Sequence, residues 1–486
     1  MKILFCASEA TPYAKSGGLA DVAASLPAAL ADRGHDIRLI LPRYGWIQRE
    51  HLRPLPEPMV VHRGALTEYA QLHEDPDSPF QVYLVEHDGY FHRPWPYGPP
   101  GGAYADNCAR FSFLSAACLS ACSHLGFQPD VIHVNDWHTS LVPVYLNTSY
   151  GDGPLGNTAT LLTVHNIGYQ GEFPKQDLTA TGLGWERFTH LELERNDYLN
   201  LLKGGIVHST RINTVSPTHA WEMTTPEGGF GLDGVLRERK DRLDGVLNGI
   251  DPDTWDPRTD PYLPARFGPE DLAGKALCKA QLQQEMGLPQ RPEAPLFGLV
   301  TRLTYQKGTD VVAAVLHRIL ELDLQICLLG AGDPHQEHAF LHLARRFPER
   351  FSVTLGYHEP LAHRIEAGSD FFLMPSRYEP CGLNQMYSQR YGTLPIVRAV
   401  GGLKDTVENY DEATGEGTGF VFRDLNPDSI FDVVGWATWA HYNRSKDVLG
   451  MRIRAMQKDF SWDRAAQAYE RIYSQAVEDR QRVTRI

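Results

Sequence analysis

The 486-residue chain has few cysteines and no paired ones. Cys6, Cys108, Cys118, Cys122, Cys278, Cys327 and Cys381 are scattered, odd in number, and form no Cys-x-x-Cys. That argues against a disulfide scaffold and for thiols in a reducing compartment. Positive charge is in deficit, with a formal net charge of −14. This excludes a general affinity for nucleic acid or anionic membrane, although a local cluster can still hold a small anion. No apolar run reaches membrane-spanning length, and there is no low-complexity segment. The first residues carry one lysine before a short apolar strand, which fits neither a signal nor a transit peptide. The expectation is a cytoplasmic protein with no nucleic-acid and no membrane partner. Walker A and His-Glu-x-x-His patterns are missing, and the two Gly-x-Gly-x-x-Gly runs, at 151–156 and 229–234, do not directly follow an expected strand. A dinucleotide-dependent oxidoreductase therefore lacks its fingerprint, and no metal is expected.

What is present is a strand–helix alternation that runs twice. Apolar strands are expected at 2–7, 37–42, 81–85, 130–134, 159–164 and 211–217, with helices over 22–30 and 107–125 and an irregular Gly/Pro/Tyr-rich loop over 88–106. Short apolar strands separated by helices predict a parallel sheet covered on both faces. After Pro- and Asp-rich sequence from 251 to about 265 the pattern restarts. Strands are expected at 296–300, 324–329, 351–355, 370–374 and 394–397, and a final helix over 462–480. The fold class is α/β, with two doubly wound domains, 1–245 and 246–462. Ligands of such sheets bind at the carboxyl ends of the strands, and two in tandem imply a central cleft.

Most of the polar and glycine-rich stretches fall at those strand ends. Residues 14–21 read Ala-Lys-Ser-Gly-Gly-Leu-Ala-Asp. Gly17 and Gly18 allow close backbone approach, the helix start offers N–H groups to an anion, and Lys15 adds a point charge. Alone, the stretch reads equally as a phosphate site or a plain turn. Arg302 and Lys307 stand five residues apart before Gly308 and a helix from Thr309, a pairing suited to phosphate oxygens, with a solvated basic loop as the alternative. In Ser376-Arg377-Tyr378-Glu379-Pro380-Cys381-Gly382-Leu383, Glu379 before Pro380 suits the first turn of a helix, leaving the Gly382 and Leu383 amides free. A carboxylate there suits a neutral sugar ring, or simply a helix start. Asp136-Trp137-His138 and His165-Asn166 end neighbouring strands. Trp137 is expected to stack on carbohydrate, with a buried structural cluster as the alternative. Cys381 as a nucleophile has no nearby histidine partner. Two cationic turns plus sugar-type polar groups suit a nucleotide-diphosphate sugar donor.

In order and spacing these motifs resemble the bacterial glycogen synthases, a family that includes the plant starch synthases. The resemblance runs end to end. It rests on Ser8-Glu9 with Lys15 to Asp21, Asn135-Asp136-Trp137-His138, Thr163-Val164-His165-Asn166, Val215-Ser216-Pro217 and Leu247 to Asp251. It continues through Thr301-Arg302-Leu303, Gln306-Lys307-Gly308, Pro375 to Leu383 and Gly401-Gly402-Leu403. It implies the GT-B architecture, two Rossmann-like domains with the last helix (about 463–486) crossing back onto the first. It further implies transfer of glucose from ADP-glucose to the 4-hydroxyl at a non-reducing end of glycogen or another α-1,4-glucan, with retention and without metal or other cofactor. By resemblance Lys15, Arg302 and Lys307 hold the diphosphate, and His165, Asn248 and Glu379 hold the glucosyl ring. Tyr357 stacks the adenine, and Tyr97 and Asp136 sit toward donor or acceptor. Gly17, Gly18, Asp21, Asn166, Cys381, Gly382 and Leu383 complete the expected substrate contacts. Ser16 replaces the family's commoner Thr and keeps a hydroxyl. Tyr387 occupies the position, eight after Glu379, where many retaining GT-B enzymes carry a second Glu. A two-carboxylate mechanism is therefore not expected; a front-face displacement is. A glucan-binding protein without catalysis would be expected to lose the three cations, and a phosphorylase would need a pyridoxal-phosphate lysine.

Overall fold

The computed structural model describes residues 1–484; residues 485 and 486, within the expected last helix, lie outside the described residues. The chain divides into two compact units. One comprises residues 1–215, 220–249 and the segment from Trp462, and the other residues 216–219 and 250–461.

The first unit is built on a ten-stranded sheet. Its parallel part runs Leu243–Gly245, Arg211–Thr214, Ala159–Val164, Val131–Asn135, Lys2–Cys6, Asp36–Pro42, Gln81–Glu86. Lys2–Cys6 and Val131–Asn135 are buried along almost their whole length, as strands covered on both faces must be. The expectation of a purely parallel sheet is corrected at one edge. Leu66–Glu74 pairs antiparallel with Gln81–Glu86, and Met59–Arg63 folds back on it. Met59–Arg63 alternates buried and exposed residues, the pattern of a half-covered strand. The left-handed Gly64 (φ 54°) makes the tight turn between the two. A separate three-stranded antiparallel sheet, Glu194–Arg195, Tyr198–Asn200 and Glu172–Pro174, was not legible in the apolar pattern either.

The helix Trp462–Thr484 belongs to this first unit. Its Tyr469, Ile472, Tyr473 and Ala476 are buried in one cluster with Ile3, Phe5 and Leu161. Arg33 grips Glu470 with two nitrogens, at 3.0 and 2.9 Å, and reaches Asp463 at 2.7 Å. Beneath the helix the buried His133 bonds Tyr473 through Nδ1 (2.8 Å) and Thr163 through Nε2 (2.7 Å), and burial keeps its pKa well below the ordinary value. Tyr473→Phe strips Nδ1 of its partner. It is expected to lower stability by about 1–3 kcal/mol, read as a fall in the thermal midpoint.

The second unit holds a six-stranded, wholly parallel sheet. Its order is Phe351–Leu355, Gln325–Gly330, Leu296–Val300, Phe371–Met374, Leu394–Arg398, Phe420–Phe422. The Pro- and Asp-rich stretch after Asp251 is packed against this unit. Trp255 lies flat between His363 and Tyr387, each ring 3.8 Å away. The Asp260 carboxylate accepts from His363 (2.7 Å) and Tyr391 (2.6 Å). Among the described residues no helix is long and apolar enough to cross a membrane.

Candidate functional site

The strand order of the second unit reverses between Leu296–Val300 and Phe371–Met374, and a cavity of about 350 Å³ opens there at the carboxyl ends. This is where open α/β sheets bind ligands. Arg302 and Lys307 follow the first of these strands, and Ser376 and Glu379 follow the second. Gly330 and Tyr357 follow the next two, Gln325–Gly330 and Phe351–Leu355. The loop carrying the two cations is held from below. Arg377 pairs with Asp310 at 2.6 and 2.8 Å, donates to the Tyr305 carbonyl at 2.6 Å, and lies 3.6 Å from the Tyr305 ring centre. Gly308 takes a left-handed φ of 67°, and a Cβ there would stand 2.1 Å from the Pro375 carbonyl oxygen. Only glycine lets the loop close onto the neighbouring strand end at this angle.

Lys307 Nζ donates to Glu379 Oε2 at 2.6 Å, and the Ser376 hydroxyl donates to the same oxygen at 2.9 Å. Glu379 is 6% exposed. Arg302 is exposed, and among the described residues its guanidinium makes no hydrogen bond or ion pair. The cavity thus presents a guanidinium with its donors unspent, an ammonium shared with a buried carboxylate, and an exposed aromatic ring, Tyr357, at 79%. Gly382 and Leu383 line it as expected. Cys381 is buried and does not.

One expectation here is corrected. Pro380 does not open a helix; the helix is Asn384–Arg390, with Leu383 as its cap residue. Gly382 is left-handed (φ 73°), which ends any helical start at Glu379. Glu379 therefore sits on a loop, and its carbonyl accepts from the Gly402 amide at 3.1 Å. Ser376 opens a stretch singled out in the sequence but was given no role there, and Gly330, Ala331 and Asn384 line the cavity without having been named as substrate contacts. The end of an apolar strand was the available signal for Gly330 and Ala331.

In the first unit the switch point lies between Lys2–Cys6 and Val131–Asn135, and two groups of expected residues collect there. The turn before the helix Gly18–Asp32 is satisfied internally. Glu9, buried, accepts from the Ser16 amide (2.8 Å) and hydroxyl (2.6 Å), and Lys15 pairs with Asp21 at 2.7 Å. The expectation of free turn amides is corrected for Ser16, because the chain's own Glu9 is the anion on it. Burial raises the Glu9 pKa against those bonds. Gly17 is extended (φ −159°) and Gly18 has open space where a Cβ would be. Lys15 remains more than half exposed.

The second group surrounds Asp136, which takes a left-handed φ of 53°. Its Oδ1 accepts from the His165 amide at 2.7 Å, and burial lifts its pKa to about 7. Asn135 donates to the Cys6 carbonyl through Nδ2 (3.0 Å), so its Oδ1 accepts from His165 Nε2 at 2.8 Å. The His165 proton is thereby placed on Nε2, leaving Nδ1 as an acceptor. Burial holds the ring neutral, with its pKa down to about 3. Asn166 Oδ1 accepts from the Gly168 amide, the half-buried Tyr97 bonds Ser8 through its hydroxyl at 2.8 Å, and the buried Asn248 Oδ1 has no partner among the described residues. Trp137 is corrected: it is 9% exposed, packed against His138, Phe111 and Phe173, and is core rather than a sugar platform.

The raised Asp136 pKa predicts a pH signature. The folded state prefers the protonated acid, so its contribution is whole below about pH 4 and is lost as pH rises to about 7. Asp136→Asn has no proton to lose and tolerates the same backbone angle. Its stability relative to the parent should rise by about 1.4 kcal/mol per pH unit across that window, measured as thermal midpoints at pH 5 and 8. Among the described residues no group of three His, Cys, Asp or Glu is arranged to hold a metal ion.

Residues 2–238 match the family model for the starch synthase catalytic domain, and residues 283–437 that for glycosyl transferases group 1. The chain is 50% identical over 486 residues to Glycogen synthase 1 of Geobacter metallireducens, covering 99% of this chain and 97% of the relative. It is 49% identical over 477 residues to the glycogen synthase of Anaeromyxobacter sp. (strain Fw109-5), covering 97% and 99%. The catalytic domain of Starch Synthase IV from Arabidopsis thaliana, solved bound to ADP and acarbose, aligns with a TM-score of 0.88. The identity is 34%, over 98% of this chain and 99% of that one. Sucrose-phosphate synthase from Thermosynechococcus elongatus, at 17% identity and a TM-score of 0.59, shares the fold.

Proposed function

The chain belongs to the glycogen synthase and starch synthase family, GT-B glycosyltransferases of two α/β domains, and from that premise we propose that it transfers glucose from ADP-glucose to the non-reducing 4-hydroxyl of an α-1,4-glucan with retention. The observation that carries this reading is the second unit's cavity, where Arg302, Lys307 and Glu379 converge. Its cations suit a diphosphate leaving group, which needs charge neutralisation more than a proton. Glu379 suits the glucosyl ring and positive charge developing at the anomeric carbon. Tyr357 offers a face for the base. In the first unit we assign Lys15, with Gly17, Gly18 and Asp21, to the donor phosphates. His165, Asn166 and Asn248 go to the sugar hydroxyls, with Tyr97 and Asp136 behind them. His165 Nδ1 is the acceptor for one such hydroxyl, and the orphaned Asn248 Oδ1 is a second.

Among the described residues Glu379 is the one acid lining the second unit's cavity, so a glycosidase-type double displacement lacks its second acid. Tyr387, at the position in question, stacks on Trp255. The acceptor hydroxyl therefore attacks on the face the diphosphate leaves, forming the new C1–O bond as the C1–O–phosphate bond breaks, and passes its proton to the departing phosphate. Trapping a covalent glucosyl-enzyme would contradict this. The seven buried cysteines suit a reducing compartment, and we assign the activity to the cytoplasm. Incubation with glycogen and labelled ADP- or UDP-glucose, followed by β-amylase digestion, tests the reading. Label released as maltose, with ADP-glucose the faster donor, is expected. Label that resists digestion, or faster transfer from UDP-glucose, would overturn the corresponding part.

A further inference from the structure

The first unit contains a second polar cavity, of about 290 Å³, that shares no residue with the site above. It is walled by the end of the helix Leu201–His208, the turn Lys240–Arg242 and the helix Trp462–Thr484. Three guanidinium groups line it, from Arg239, Arg242 and Arg480. Arg239 donates to the Val207 carbonyl and, at 2.5 Å, to that of Ser209, and meets no carboxylate among the described residues. Burial, with Arg242 beside it, pushes its pKa down to about 10. Arg480 donates to the Gly156 carbonyl at 3.1 and 2.8 Å and to Asn147 Oδ1 at 3.0 Å, and burial lowers its pKa too. The Arg242 side chain has no hydrogen-bond or ion-pair partner among the described residues.

Glu192 is the one acid in the wall among the described residues. It is engaged by Arg187 (3.2 Å) and by His208 Nε2 (3.2 Å), whose pKa burial lowers. The cavity is therefore strongly cationic in a chain of net charge −14. Arg239 and Arg242 are half-buried like charges with no counter-ion among the described residues, which is unfavourable, and an anion supplied from outside removes the penalty.

We infer that this cavity binds a phosphomonoester dianion, either free orthophosphate or a sugar monophosphate. Guanidinium forks match phosphate oxygens in pairs, and the two of Arg239 and Arg242 match the charge of a dianion. Asn147 adds a polar wall for hydroxyls beyond the phosphate. An anion here would tie the last helix, through Arg480, to Arg239 and Arg242 just ahead of the strand Leu243–Gly245.

Titration calorimetry on the full chain with orthophosphate, glucose 1-phosphate and, as neutral control, glucose tests this. Binding of at least one phosphate probe is expected. It should weaken about tenfold or more in Arg242→Ala and persist in Lys307→Ala. Arg242→Ala removes a side chain that holds nothing together, so its melting temperature and its transfer rate without added phosphate should match the parent. Equal affinity for both phosphate probes identifies orthophosphate as the ligand, and tighter glucose 1-phosphate identifies a phosphosugar. No binding by the parent, equal binding of glucose, or binding lost in Lys307→Ala but kept in Arg242→Ala would each overturn the proposal.

Discussion

Lys307→Ala is expected to lower kcat/KM for ADP-glucose by about a hundred- to a thousandfold, equivalent to ~2.7–4 kcal/mol of transition-state stabilisation. A leaving diphosphate gathers negative charge as its bond to C1 breaks, and a fixed ammonium in a partly enclosed cavity answers that charge without reorganising. The same ammonium is also the ion-pair partner of Glu379 at 2.6 Å, so the variant loses stability as well as rate. The two effects separate cleanly. Lys307→Ala/Glu379→Gln removes the uncompensated buried carboxylate and should recover much of the melting temperature while recovering none of the rate. Arg302→Ala gives the converse control. Its guanidinium is exposed and bonds nothing among the described residues, so a comparable loss of rate should come with an unchanged melting temperature. Normal turnover in a folded Lys307→Ala would remove the lysine from the mechanism.

Glu379→Gln is expected to lower kcat by about a hundredfold or more while leaving ADP affinity equal to or tighter than the parent's. The carboxylate is 6% exposed and anchored from two sides, by Lys307 and Ser376, so an isosteric amide fills the same space. What the amide lacks is the negative charge that favours a developing oxocarbenium ion. It also lacks the repulsion that a carboxylate exerts on a nearby diphosphate, hence the opposite sign for ADP binding. Rate and ADP affinity falling together would instead make Glu379 only a support for Lys307.

The parallel strands and their polar ends were readable because fully buried strands are continuous apolar runs, as in 131–135 and 371–374, and because ligand groups gather where such runs stop. Arg302, Lys307 and Glu379 were read that way and Tyr357 from the family resemblance, and all four line one cavity. The antiparallel edge over 59–74 was missed because half-covered strands carry a weak alternating pattern, and here the turn is a single Gly64-Ala65. The helix start at Glu379 failed because Pro at a first turn is only one use of that residue, and the left-handed Gly382 two positions on decided otherwise. Lys15 looked like a free cation beside open amides. No local pattern reveals that Glu9, seven residues before Ser16, takes up the turn, or that Asp21 pairs with the lysine. Trp137 looked like a sugar platform because exposure cannot be read from a Trp beside polar neighbours; its burial comes from Phe111 and Phe173, distant in sequence. Tyr387 shows what its position does in this chain, closing an aromatic stack on Trp255.

A crystal structure with ADP bound tests the central claim most directly. The account predicts the diphosphate at the carboxyl ends of strands Leu296–Val300 and Phe371–Met374, its oxygens within hydrogen-bond distance of Arg302 and Lys307, and the adenine against Tyr357. A diphosphate bound elsewhere, with Arg302 and Lys307 untouched, would contradict it.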